Sequence, residues 1–389
     1  MEQRRKNLTQ LFIPICLETL LYMLSGMVDT LMLSSVNDQA VGAVGTANTY
    51  IGIFIIMFSV ISSGMVAVMT QNIGAGRPGV AYQARQLGLV FNAALGVIMS
   101  LFLSLGAGTI LSGVGVADAL MQPAKTYLQI VGGFCILNAL IPICSSYLRA
   151  FGFSKEPLYA SIIGNVINFC LNAFFLFVLH KGVAGVATAT VISRIINLVI
   201  VVLLGAVLVK AKQHPERESN RAVMGQIIRI GLPSACETAI YNVSMTLVIR
   251  FLNQMDAQGL NVTARSYTMQ ITNFSYCVGA ALAQANAIMT GWHIGAKEYD
   301  ACDRGTKKAA VIGVIVAVIL ETVFTLCSGW IMQLFSKDPQ MVSLVGKLLA
   351  IDIVLDGCLL YDFVFSWGNV SVWNPSGPSG RGRIHRYDW

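Results

Sequence analysis

LTQLFIPICLETLLYMLSGMVDTLML, residues 8–33, decides the fold of this 389-residue chain. About 20 predominantly apolar residues are enough to cross a bilayer as a helix, and this run exceeds that while carrying two carboxylates, Glu18 and Asp29. At ~100° and ~1.5 Å per residue, Asp29 returns to within ~20° of Glu18, ~16 Å further along the axis. Tyr22 and Ser25 fall between them, so Glu18, Tyr22, Ser25 and Asp29 form one polar stripe. A carboxylate facing lipid is costly, so acids in such helices face a bundle interior or a water-filled cavity and mark ion or substrate paths. Residues 233–244, PSACETAIYNVS, repeat residues 14–25, PICLETLLYMLS, with Pro, Glu, Thr, Tyr and Ser in the same places. A polar membrane helix occurs twice.

The whole composition agrees with a bilayer protein. The chain is 55% hydrophobic and 12% charged, with a mean hydropathy of +0.68, where soluble domains have about 25% charged residues. The net charge of +7 comes from basic residues scattered through short loops, not clustered with aromatics, which argues against nucleic acid as a partner. The nine cysteines lie mostly in apolar runs without a CxxC pair, as expected of reduced, packed thiols. The four histidines (180, 214, 293, 385) show no metal-binding spacing. No GxxxxGK[ST] loop is present for direct ATP drive, and no nucleophile or metal constellation supports a membrane-embedded enzyme. Arg4, Arg5 and Lys6 precede the first run, but that run is too long and too acidic for a signal peptide, so it is expected to be retained.

Apolar windows predict spans near 8–33, 43–70, 86–112, 126–150, 157–179 and 183–209, then 227–252, 264–292, 308–334 and 344–368. The charged stretch VKAKQHPERESNRAVMG, 209–225, separates an N-terminal bundle (1–208) from a C-terminal bundle of about four helices (226–368), and 369–389 form a polar tail. With the N-terminus cytoplasmic, most Lys and Arg fall in inside loops, which predicts an N-in, alternating topology and parallel repeats. VAVMTQNIGAG (66–76) is echoed by NAIMTGWHIGA (286–296), so Gly74 and Gly295 are expected to end equivalent helices with left-handed caps.

These motifs together resemble the multidrug and toxic compound extrusion (MATE) transporters, over about residues 8–366. The carriers are IP..LE and VDTLML in the first span and TQNIGAG after the second. LRAFGFSKEP (148–157), the Asn-rich fifth span, GVAGVATATVISR (182–194), GLPSACET (231–238) and IGAKE (294–298) add to them. The resemblance implies an all-α polytopic fold of two pseudo-symmetric six-helix bundles around a central cavity, with ten spans present here. It further implies a multi-pass protein of the inner (plasma) membrane, acting as a monomer on small organic substrates, with no cofactor.

Asp29 has no acidic counterpart in the repeat, where Val248 stands instead. It is expected to be a titrating group that binds H⁺ or Na⁺, against the alternative of a solvated acid near a helix end. Asn165, Asn168 and Asn172 share one face of the fifth span, either as oxygen ligands beside that carboxylate or as helix-bridging amides. The resemblance adds a cation site at positions matching Asp29, Asn168, Asn172 and Thr190. Some relatives have Asp where Asn172 stands, which leaves one negative charge here and the choice between H⁺ and Na⁺ open.

Glu18 and Glu237 each follow a proline by four residues, beside a bend that proline invites. With Tyr22, Tyr241 and Asp352 they are the candidates for substrate contact or coupling. A hydrogen-bonded packing role competes for both glutamates. Asp352 and Asp356 lie one turn apart in the tenth span, and the resemblance implicates an acid of that span.

The family has twelve helices, while four spans follow the linker here. SWGNVSVWNPSGPSGRGRIHRYDW (366–389) is too polar to continue a bilayer helix. A frame shift near Gly357–Gly368 with an early stop is expected, against the alternative of a true ten-helix variant with a disordered cytoplasmic tail. The function expected is secondary active efflux of amphipathic, often cationic, compounds in exchange for H⁺ or Na⁺. A lipid-linked oligosaccharide flippase is the nearest alternative, thinly supported by Arg194, Arg250 and Arg265 in the spans.

Overall fold

The computed structural model describes residues 6–34, 38–113, 116, 118–209, 216–255, 260–333 and 339–372. Among these the regular structure is entirely helical. The first half contains α1 (Leu8–Ser34), α2 (Asp38–Gly74), α3 (Pro78–Gly113), α4 (Asp118–Tyr127), α5 (Ile136–Ala150), α6 (Lys155–Ala173) and α7 (Gly182–Leu208). The second half contains α8 (Asn220–Met255), α9 (Leu260–Gly295), α10 (Tyr299–Leu326), α11 (Ser328–Met332) and α12 (Pro339–Val372). π-helical turns at Leu128–Gly132 and Phe174–Val178 extend α4 and α6.

Five of these helices are long and apolar enough to cross a membrane: α1, α3, α6 with its π turn, α7 and α10. A sixth crossing results if α4, its π turn and α5 form one span bent by 42° between Gly132 and Ile136. The sequence windows predict ten. α2, α8, α9 and α12 have 34 to 37 residues each, ample length for a crossing, and α9 carries polar runs such as NVTARSYTMQITNFS.

Two expectations at helix ends change. α8 starts at Asn220, inside the predicted linker, because Val223, Ile227 and Ile230 recur at helical spacing and are buried. α12 runs to Val372, so the first residues of the stretch expected to break the helix are helical, and the tail from 373 on lies outside the described residues.

Proline chemistry ties α1 to α6. Pro14 has no N–H to donate to the carbonyl of Gln10, four residues back. Ser154 Oγ, at the head of α6, donates to that carbonyl at 3.0 Å. Above this point Ser161 meets Glu18, Asn165 meets the Leu21 carbonyl, and Asn172 meets Asp29. Both numberings ascend together, so α1 and α6 run parallel.

The apolar core divides along the helix axes. At the end holding the N-terminus, one cluster spans both halves, with Leu11 and Ile15 of α1, Met65 and Met69 of α2 and Ile143 of α5 meeting Ile227 of α8 and Ile288 and Trp292 of α9. At the opposite end each described cluster lies within one half. Leu103, Leu111, Tyr127 and Leu128 belong to a first-half cluster, and Ile271, Met332, Val345 and Leu349 to a second-half cluster. The halves are joined at one end and packed separately at the other.

Glycines permit the joined end. A Cβ on Gly74 would strike the Trp292 carbonyl, and one on Gly295 the Gln71 carbonyl. Both are the last residues of their helices, as expected, but neither holds the left-handed position. That falls two residues later in each copy, at Gly76 (φ 75°) and Lys297 (φ 62°). Close helix approach, not capping, requires Gly74 and Gly295.

Candidate functional site

Asp29, near the C-terminal end of α1, stands beside the buried amide face of α6. Asn172 Nδ2 donates to Asp29 Oδ1 at 2.6 Å and to Asn168 Oδ1 at 3.2 Å. Asn168 and Asn172 are buried, and Asn172 Oδ1 has no hydrogen-bond partner. A buried acceptor left unsatisfied costs about 1–3 kcal/mol, and it points to a donor or cation that completes the site. Thr190 of α7 is buried and donates its hydroxyl to the Val186 carbonyl at 2.9 Å, which leaves the oxygen lone pairs available. The π turn of α6 begins two residues past Asn172, the kind of irregularity that recurs at functional sites.

Two further groups share this neighbourhood: Tyr127, which the sequence reading did not single out, and Arg194, which it weighed only for a flippase. Arg194, one turn after Thr190 on α7, lies within electrostatic reach of Asp29, and Tyr127 of α4 lies within reach of Arg194, Asp29, Asn48 and Tyr22. Tyr127 is buried directly before the first π turn. Nothing in local spacing joins residues 29, 127, 172 and 194; the packing of α1, α4, α6 and α7 does.

The repeated glutamates sit in unlike settings. Glu18 Oε2 accepts from Arg149 at 2.5 Å, with side-chain exposures of 14% and 9%, and Ser161 Oγ donates to Glu18 Oε1 at 3.4 Å. Arg149 also donates to Gln284 Oε1 of α9 at 2.6 Å. Glu237 is exposed on α8. Tyr22 and Tyr241, at matching places in the repeat, are 63% and 47% exposed. Asp352 is half-buried on α12, and the side chains of Asp356 and Arg250 lie outside the described ones. Glu321 of α10, fully buried, is an acid the sequence reading passed over, although it interrupts the apolar run VIVAVILETVF. Among the described residues no three His, Cys, Asp or Glu side chains group as a metal site.

The arrangement therefore has a carboxylate with hard oxygen neighbours at the divided end, and a buried ion pair at the joined end. The family model MatE matches residues 14–174 and 233–366. This chain belongs to the MatE family. It is 32% identical to the "Uncharacterized transporter YisQ" of Bacillus subtilis over 349 residues, covering 88% of this chain and 76% of the relative. It is 24% identical to the "Probable multidrug resistance protein NorM" of Thermotoga maritima over 376 residues, covering 91% and 79%. The fold matches a multidrug resistance MATE family transporter of the MOP superfamily, solved in its outward-facing conformation, with a TM-score of 0.83 and 17% identity. That match covers 94% of this chain and 82% of the other.

MatE members are transporters, not enzymes, and this chain is a multi-pass member of that multidrug efflux family. The lipid-linked oligosaccharide flippase is not favoured: the Thermotoga maritima relative is named for multidrug resistance.

Proposed function

We propose that this MatE chain is a secondary antiporter that exports amphipathic organic cations in exchange for protons taken up at Asp29. The observation that carries it is the Asp29–Asn172–Asn168 hydrogen-bond chain, in which both amides are buried and Asn172 Oδ1 is unsatisfied. A proton on Asp29 turns that carboxylate into a donor and changes which amide hydrogen bonds it can make. Arg194 supports H⁺ over Na⁺. Its positive charge reaches Asp29 and disfavours a second, desolvated metal cation beside a single carboxylate.

The proposed topology has ten spans with the N-terminus cytoplasmic in the cell membrane, so the joined end faces the cytoplasm and the divided end faces out. An outward-open cleft then stands between the halves, with Tyr22, Tyr241 and Glu237 as contacts for a cationic cargo. Protonation at Asp29 and cargo release bias the rocking of one half against the other. The chain works as a monomer without a cofactor.

Export of a fluorescent cationic dye from energised cells tests this, comparing the native chain with Asp29→Asn at equal membrane abundance. Export should collapse in the variant. In vesicles a pH gradient should drive dye movement and a Na⁺ gradient alone should not. Equal export by both chains removes Asp29 from the mechanism, and Na⁺-driven export replaces the proton with Na⁺.

A further inference from the structure

Arg149 holds a position that the efflux reading does not use. It ends α5, and its guanidinium reaches two ways, to Glu18 of α1 within its own half and to Gln284 of α9 in the other half. The next residue adds a second tie between halves: Trp292 Nε1 of α9 donates to the Ala150 carbonyl at 2.9 Å. Around these polar ties lie the close glycine approaches of α2 and α9 and the apolar cluster shared by both halves.

These contacts differ in what breaking them costs. Apolar surfaces can slide past one another with modest loss, whereas a buried guanidinium has to keep its acceptors. Glu18 and Gln284 are on separate halves, so Arg149 keeps both of its acceptors only while the halves are together at this end. Glu18 sits on the polar stripe that leads up α1 through Tyr22 and Ser25 to Asp29, and Pro14, with its missing hydrogen bond, lies one turn below it.

We infer that Arg149 is a positioning residue of the transport cycle, the latch that holds the cytoplasmic end closed by bridging Glu18 and Gln284. The opening of that end requires Gln284 to leave Arg149, while Glu18 keeps the guanidinium paired within the first half. The ion pair thus lowers the cost of opening, and the amide bond across the halves sets the closed state. The inference rests on the proposed topology for the direction in which the latch opens.

The test measures access rather than transport. In a chain whose natural cysteines are replaced, Ile288→Cys places a thiol on the α9 face buried against the first half. Labelling by a membrane-impermeant maleimide from the cytoplasmic side, in vesicles without dye, reports opening. Gln284→Ala, which leaves the Glu18–Arg149 pair intact, should speed labelling about tenfold, equivalent to about 1.4 kcal/mol of lost closure. Arg149→Lys, a point charge without the planar fork, should fall between the two. Arg149→Gln should speed labelling at least as much, and if it fails to reach the membrane the Gln284→Ala result still decides. An unchanged labelling rate in Gln284→Ala overturns the latch, as does slower labelling. Normal dye export by Asp29→Asn would sink the antiport reading and leave this result standing, because labelling needs neither cargo nor proton gradient.

Discussion

At the scale of residues, two buried polar accounts carry the predictions. Arg149 and Glu18 are both largely buried, so removing one partner strands a charge, which typically costs about 3–5 kcal/mol. Glu18→Gln should lower the melting temperature of the purified protein in detergent clearly. The double variant Glu18→Gln with Arg149→Met should recover much of the loss, because no uncompensated charge remains. Ser154 is fully buried and holds the carbonyl that Pro14 frees. Ser154→Ala should therefore cost about 1–3 kcal/mol, and Ser154→Ala with Pro14→Ala less, since Gln10 regains a backbone donor. A melting series on these variants that shows no such recovery would separate proline from the serine.

At the scale of elements, the glycines of α2 and α9 set how near the halves can come. Gly295→Val would push its side chain into the Gln71 carbonyl, and crowding of this kind costs about 1–3 kcal/mol. Because the clash exists only when the joined end is closed, the variant should shift the protein toward the opposite opening. Maleimide labelling at Ile288→Cys in that background should quicken. Gly76→Ala, at a left-handed φ with open space around it, should lower stability without changing labelling.

At the scale of the whole molecule, the core is shared at one end and divided at the other. Spin labels at Ser112 and Trp330, exposed on the two halves near the divided end, measure that gap. Acidification or a cationic dye should redistribute the distances, shorter as the outer end closes. A single distance under every condition would contradict rocking of the halves.

The chain by itself determined the class of molecule and most of its parts. Bilayer crossing follows from length and apolarity, which are local, so the membrane class and the family resemblance were legible in the sequence, while five of the ten expected spans, or six with the bent pair, are long and apolar enough among the described residues. Asp29 and Asn172 were legible as candidates for a related reason: a carboxylate or an amide in an apolar helix needs a partner wherever it goes. Their contact was not, nor was the approach of Tyr127 and Arg194, because those residues come from four helices and share no spacing. The repeat also misled at one point. It makes Glu18 and Glu237 equivalents, yet one is locked to Arg149 and the other is exposed, since the two halves place different neighbours around the same motif. Only tertiary packing could choose between a buried place and an exposed one, because a side chain's surroundings are fixed by which helices are brought beside it and not by the helix that carries it.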